Sequence, residues 1–310
     1  MIKRRKTRQI KVADLRIGGG APVSIQSMTK VDTSNVNVTI SQIKELEDVG
    51  CEIVRVAVKT SEDADAIRKK EEVAQVAKAA KKAKIPIRIG ANSGSVLRGT
   101  GEDMVEALVN LAMKHTKLFE DMGFHDIIIS LKASDVVSTV EAYRRIAGIC
   151  DYPLHLGVTA AGLHDSGIVK SAIGIGALLL DGIGDTIRVS LTSPDPVDEV
   201  IAGKRILGAL GIRKFGPEII ACPTCGRCQV DLVKIVKELE KKLYPIPYTL
   251  YPKRPVTIAV MGCEVNGPGE AMDADIGIAF GKDSGMLFKK GKILKKVSAS
   301  TAVKELLKCL

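Results

Sequence analysis

The stretch Asp126-Ile-Ile-Ile-Ser-Leu-Lys132 (DIIISLK) decides the fold. It is a short apolar strand that ends in polar residues, Ser130 and Lys132, and runs into a segment with helical periodicity. The same unit recurs on both sides of it. Val23–Met28 carries Gln26 and Ser27, Glu52–Val58 carries Arg55, and Pro86–Asn92 carries Arg88 and Asn92. Pro153–Thr159 carries His155 and Thr159, and Asp185–Leu191 carries Arg188 and Ser190. Alternating β and α units imply a parallel sheet with right-handed crossovers. Polar side chains at the C-terminal ends of many strands are what a (β/α) barrel uses to build a site. A doubly wound open sheet is the competing architecture, but it gathers its ligand groups at one switch point. The reading is therefore an α/β chain with a TIM-barrel-like parallel barrel shortened to about six strands, where a complete barrel has eight. From Ser61 to Lys84 it reads as one unbroken, charge-rich helix.

Composition suits this architecture. Hydrophobic residues make up 45%, aromatics only 3%, and tryptophan is absent, so packing rests on Val, Ile, Leu and Ala, as in buried parallel strands. The net charge of +10 admits a solvated basic surface, with lysines on helix-like stretches at Lys69–Lys84 and Lys289–Lys296. It also admits a field that draws a phosphorylated substrate or an acidic protein. Nucleic acid is disfavoured because no aromatic-rich basic stripe is present. The basic segment Met1–Arg16 is followed by no apolar h-region, which predicts no secretory signal. The apolar run Ile173–Leu180 is too short to span a membrane. The glycines Gly174 and Gly176 within it form no dinucleotide fingerprint and are expected to serve packing or turns. Seven cysteines with a CxxC point to a reducing, cytoplasmic setting.

Gly211–Pro217 reads as a linker, dividing a barrel domain, 1–215, from a smaller α/β domain, 216–310. In the latter, strands are expected at Glu218–Ala221, Val256–Met261 and Ile276–Phe280, with helices at Val230–Leu243 and Ser298–Lys308. Two tight loops, ACPTCGRC and MGCEVNGPGE, hold Cys222, Cys225, Cys228 and Cys263 with Glu264 and Glu270. Soft thiolates select zinc or an iron–sulfur cluster over magnesium or calcium. A zinc site made by the four cysteines is one reading, although zinc ribbons pair two CxxC hairpins and Cys263 stands alone. A thioredoxin-like CxxC lacks its strand–helix context, and inert cysteines would not cluster at turns. Spacing leaves cluster and zinc open, and does not choose between Glu264 and Glu270.

ACPTCGR, MGCEVNGPGEA and DADIGIAFGK, with VSIQSMT, EIVRVAV, PIRIGANSGS, SLKASD, YPLHLGVT and GIGDTIRVSLT in the first part, resemble the 4-hydroxy-3-methylbut-2-enyl diphosphate synthase family over nearly the whole chain. The resemblance implies a [4Fe-4S] cluster on Cys222, Cys225, Cys263 and Glu270, leaving Cys228, Cys51, Cys150 and Cys309 as bystanders. It implies reductive ring opening and dehydration of 2-C-methyl-D-erythritol 2,4-cyclodiphosphate in isoprenoid biosynthesis by the methylerythritol phosphate route. Flavodoxin or ferredoxin would be the electron donor. A homodimer is implied, one subunit's cluster domain covering the other's barrel. Arg55, Arg88, Lys132, Lys170 and Arg188 become a cationic ring for the cyclodiphosphate, with Asn92, Ser130 and Ser190 as further donors. His155 is expected to be a packed histidine.

Two departures from the family qualify this. The family carries two more βα units between the strands of Arg55 and Arg88, which predicts a gapped barrel. It also reads HLGVTEAG where this chain reads HLGVTAAG, so Ala160 stands in place of a glutamate. A positioned general acid is worth about 10²–10⁴-fold. Impaired turnover, or a non-catalytic paralogue that keeps the cluster for redox sensing or electron relay, are the expectations that follow.

Overall fold

The computed structural model describes residues 2–32, 35–57, 70–94, 103–243, 256–265, 267–282 and 284–310. The chain divides into two compact units, Met1–Arg213 and Lys214–Leu310.

The first unit opens with a hairpin of β1 (Ile10–Val12) and β2 (Leu15–Ile17), which the sequence reading did not foresee. The repeating units follow: β3 (Ser24–Met28), α1 (Val36–Asp48), β4 (Ile53–Arg55), α2 (Lys70–Ala83), β5 (Ile87–Asn92) and α3 (Met104–Asp121). They continue with β6 (Ile127–Lys132), α4 (Val136–Ile149), β7 (His155–Leu156), α5 (His164–Leu180), β8 (Thr186–Ile187) and α6 (Val197–Ala209). The parallel order is β4-β3-β8-β7, and β5-β6 joins it through the single bridge Ile129–Leu154. Among the described residues no ladder closes β5 onto β4, so six strands form an open arc. The outer helices follow it, packing as α1-α6-α5-α4-α3-α2. Of the helix expected at Ser61–Lys84, the described part is α2; the remainder lies outside the described residues.

Strand alternation sorts the side chains. Ile25 and Ile187 face α6, where the bare Gly203 receives them. Gly174 does the same on α5, where a Cβ would stand 2.9 Å from Val158. At the strands' N-terminal ends the β1–β2 hairpin packs Ile10, Ile17, Val12 and Leu15 against Ile128 and Ile53. Strands β7 and β8 are shorter than expected, although backbone bonding to neighbours continues past them, as from the Arg188 N–H to the Leu156 carbonyl at 3.0 Å. The Leu191 N–H goes to a Glu199 carboxylate oxygen at 3.1 Å, and the Thr159 N–H goes to the Ala133 carbonyl.

The basic N-terminal segment is a strap. Arg4 pairs at 3.0 Å with Asp185, which is 2% exposed and also accepts from Thr7 and the Leu154 N–H. Arg5 donates to the carbonyls of Ala147, Cys150 and Tyr152 around the end of α4. These cations serve carbonyls and a buried carboxylate, not an external anion.

In the second unit β9 (Glu218–Ala221), β10 (Thr257–Met261) and β11 (Ile276–Phe280) are parallel. An antiparallel pair, β12 (Gly285–Lys289) and β13 (Lys292–Val297), completes the order β13-β12-β11-β10-β9. This corrects the helical expectation for Lys289–Lys296: Lys290 and Gly291, at φ +50° and +74°, turn a hairpin there. One face of the sheet is covered by α7 (Leu232–Leu243) and the C-terminal α9 (Ala302–Leu307), through Leu239, Leu243 and Leu306. On the other face Ala271, from the short helix α8 (Gly267–Met272), packs with Ala259, Met261 and Ala279. No helix among the described residues is long and apolar enough to cross a membrane.

The strap gives a stability test. At Gly182, φ +75°, a Cβ would stand 2.1 Å from the Lys3 carbonyl oxygen, whereas at Gly20, φ +84°, nothing lies within 4 Å. Gly20→Ala is expected to cost about 1 kcal/mol of left-handed strain, and Gly182→Ala about 2 kcal/mol or more because the strap must also move. Urea titration followed by circular dichroism compares the two; equal midpoints would show that the strap does not hold the fold.

Candidate active site

Strands β5 and β6 pair Arg88 with Ile128, Gly90 with Ser130 and Asn92 with Lys132, which puts these residues on the inner face of the arc. Lys132 Nζ lies 3.2 Å from His155 Nε2 across to β7. The next inward position, Gly157, is bare, and a Cβ there would stand 2.9 Å from Lys132 Nζ. Glycine therefore makes the space that the ammonium occupies. Arg88 Nη1 donates to Gln26 Oε1 on β3 at 2.6 Å, and Arg188 Nη2 donates to Ser190 Oγ at 3.4 Å. Arg55, at the end of β4, is exposed.

These cations act on one another. Burial, then the charges of Arg55 and Arg188, push the Arg88 guanidinium down to about 10. Burial followed by Arg188, Arg88 and Arg55 holds Lys132 well below the ordinary lysine range, with Glu199 pulling the other way. His155, 1% exposed, is held far down by burial and then by Lys132 and the three arginines, and is neutral. It is packed, as expected, but it packs inside the cationic group. An interior with this much like charge is built for an anion.

Glu199 organises it. This carboxylate, 1% exposed on the first turn of α6, accepts from Ser27 Oγ at 3.2 Å and the Leu191 N–H at 3.1 Å. It pairs with Lys30 at 3.2 Å and Arg188 at 3.7 Å. One side chain thus fixes the ends of β3 and the segment after β8. The sequence reading missed it, because an acidic residue in a helix's first turn is ordinary dipole chemistry with no mark of burial.

Of the other expected contacts, Ser130 is buried on β6 and Asn92 ends β5 with an exposed side chain. Lys170 is corrected: it stands exposed on the second turn of α5, not at a strand end. Ala160, exposed and at φ +49°, lies just beyond β7.

In the second unit, Cys222 follows β9 and Cys263 follows β10, at the C-terminal ends of two adjacent parallel strands. The Gly262 N–H donates to Cys222 Sγ at 3.3 Å. Cys263 is buried and Cys225 exposed, and Thr224 between the first two cysteines is left-handed at φ +51°. Glu270 lies on α8; its side chain is outside the described residues. Among the described residues no three His, Cys, Asp or Glu side chains converge on one metal position. Thiols gathered at neighbouring strand ends, one already accepting a backbone N–H, fit the donor set of an iron–sulfur cluster.

Comparison with known proteins covers both units. The GcpE TIM-barrel domain matches residues 7–69 and 65–204, and the GcpE protein C-terminal domain matches 218–310. Relatives named 4-hydroxy-3-methylbut-2-en-1-yl diphosphate synthase (flavodoxin) include one from Caldanaerobacter subterraneus, 48% identical over 99% of this chain and 98% of its own. Others come from Thermodesulfovibrio yellowstonii, 48% identical over 99% of both chains, and Clostridium perfringens, 46% identical over 100% and 99%. The first alignment spans 353 positions against the 310 residues here, so at least 43 have no counterpart in this chain. With the family match broken at 65–69, this places the loss in the crossover between β4 and β5. The chain belongs to the GcpE family.

Proposed function

We propose that this protein reductively opens 2-C-methyl-D-erythritol 2,4-cyclodiphosphate and dehydrates it to 4-hydroxy-3-methylbut-2-enyl diphosphate. The observation that carries the reading is the group of Arg55, Arg88, Lys132 and Arg188, set on the inner face of the arc with Glu199 as the opposing acid. A diphosphate supplies the missing negative charge. Arg88 and Arg188 present guanidinium forks to its oxygens, Lys132 acts as a point charge, and Ser190 and Ser130 donate hydroxyl hydrogen bonds. Gln26 and Glu199 hold Arg88 and Arg188 in place.

Cys222, Cys225 and Cys263 with Glu270 are the residues that would hold a [4Fe-4S] cluster, which would supply the two electrons for C–O cleavage one at a time. A carboxylate is a weaker ligand for a soft iron site than a thiolate, so Glu270 would hold its iron less firmly than the three cysteines hold theirs. In the relatives' names flavodoxin accompanies the activity, and an acidic flavodoxin or ferredoxin complements this chain's charge of +10. A homodimer in the cytoplasm completes the reading.

Ala160 favours a second reading, a paralogue without turnover that relays electrons, since alanine moves no proton. Electron paramagnetic resonance of the anaerobically reconstituted, reduced protein separates the two. Catalysis requires a spectrum altered by the cyclodiphosphate and product formed with a reduced donor; an indifferent spectrum favours the relay. Ala160→Glu is expected to raise turnover by up to about 10²-fold. No gain, with substrate affinity unchanged, would show that Ala160 is not what limits the reaction.

Binding also has a proton signature. Lys132 and His155 are both held below their ordinary values, so a bound diphosphate raises both and binding takes up protons. Calorimetry in buffers of different ionisation enthalpy reads this uptake, and Lys132→Met is expected to diminish it. Proton release in the unaltered protein would contradict the site assignment.

A further inference from the structure

Cys228, which matches no family ligand position, does not stand apart from the metal-ligand loops. A Cβ on residue 262 would lie 2.4 Å from Cys228 Sγ and 3.5 Å from Cys222 Sγ, so both sulfurs crowd one point beside the Gly262 backbone. Three backbone contacts hold them there. The Gly262 N–H donates to Cys222 Sγ at 3.3 Å, and the Gln229 N–H donates to the Gly262 carbonyl at 2.7 Å. The Cys228 N–H closes a turn on the Cys225 carbonyl at 2.9 Å. Cys228 Sγ itself donates to the Val230 carbonyl at 3.2 Å, and both thiols are partly exposed. A side chain at residue 262 would have to displace the Cys228 sulfur, so the bare glycine leaves room for it beside Cys222.

We infer that in the cluster-free protein Cys222 and Cys228 form a reversible disulfide that withholds Cys222 from the cluster. The oxidant is a small-molecule disulfide of the glutathione type. One thiolate attacks its S–S bond and releases one thiol equivalent, giving a mixed disulfide on the protein. The second thiolate then attacks the protein sulfur of that mixed disulfide, closing the Cys222–Cys228 bond and releasing the second equivalent. Two protein thiols are oxidised, one small disulfide is reduced to two thiols, and the two protein protons end on those released thiols by exchange through solvent. Excess small thiol runs the sequence backwards. The pairing stands on geometry alone; its effect on cluster loading rests on the reading of Cys222 as a ligand.

The test uses the full chain freed of iron under anaerobic conditions and treated with glutathione disulfide. Free thiols are alkylated and the protein is digested with trypsin. Arg227 lies between Cys225 and Cys228, so cleavage after it leaves two peptides that stay joined only when Cys228 is paired. Joined peptides with Cys225 alkylated are expected; separate peptides, or a Cys222–Cys225 pair, overturn the pairing. Iron and sulfide are then supplied. The oxidised protein is expected to take up neither until dithiothreitol is added, while Cys228→Ser takes up both without it. A Cys228→Ser variant that depends equally on reductant overturns the role of Cys228. A mapped Cys222–Cys228 disulfide with unhindered loading overturns the lock and, separately, the reading of Cys222 as a ligand.

Discussion

The Glu199 carboxylate works against the mutual repulsion of the cations at the strand ends. Burying a guanidinium and an ammonium costs several kcal/mol each unless charge and hydrogen bonds compensate. Glu199 compensates in part, receiving Lys30, Arg188, a serine hydroxyl and a backbone N–H on one side chain. The balance left over is positive and is carried by Arg55, Arg88 and Lys132. The ligand-free site is therefore held in a state that an anion relieves, and any anion bound only by the folded chain stabilises it by mass action. Affinity and fold share one source here, the geometry around a single acid.

The open arc bears on the same point. An open arc of six strands has three ladders fewer than a closed barrel of eight, yet the order β4-β3-β8-β7-β6-β5 leaves the remaining neighbours intact. The loss falls at one seam, so the strands that flank Glu199 keep their partners. Across the arc, Arg88 on β5 still reaches Gln26 on β3. What the seam forfeits are the inward residues that the two strands would have supplied.

The strands were legible because each announces itself twice, by an apolar run and by a polar residue at its end. Lys132, Arg88 and Arg188 were found this way, and the structure sets them on one inner face. Lys170 lacked that signal and proved helical. Lys289–Lys296 misled because lysine spacing alone does not tell a helix from an edge strand. There the turn at Lys290-Gly291 decides, and exposed lysines along β13 suit an unpaired edge. The β1–β2 hairpin is too short to carry a period, and its place is set by contacts with Ile128 and Ile53 far along the chain. Glu199 escaped notice because burial is a property of its surroundings.

The N-terminal strap has a consequence for how the chain is made. Arg4 finds Asp185 across 181 residues, and Arg5 finds Tyr152 across 147. During synthesis Arg4 and Arg5 wait for these partners until almost the whole first unit has left the ribosome. Long-range closure of this kind slows folding, and meanwhile a basic, extended segment is open to chaperones and proteases. The strap is thus a late latch of the first unit, although it is translated before the residues it latches onto.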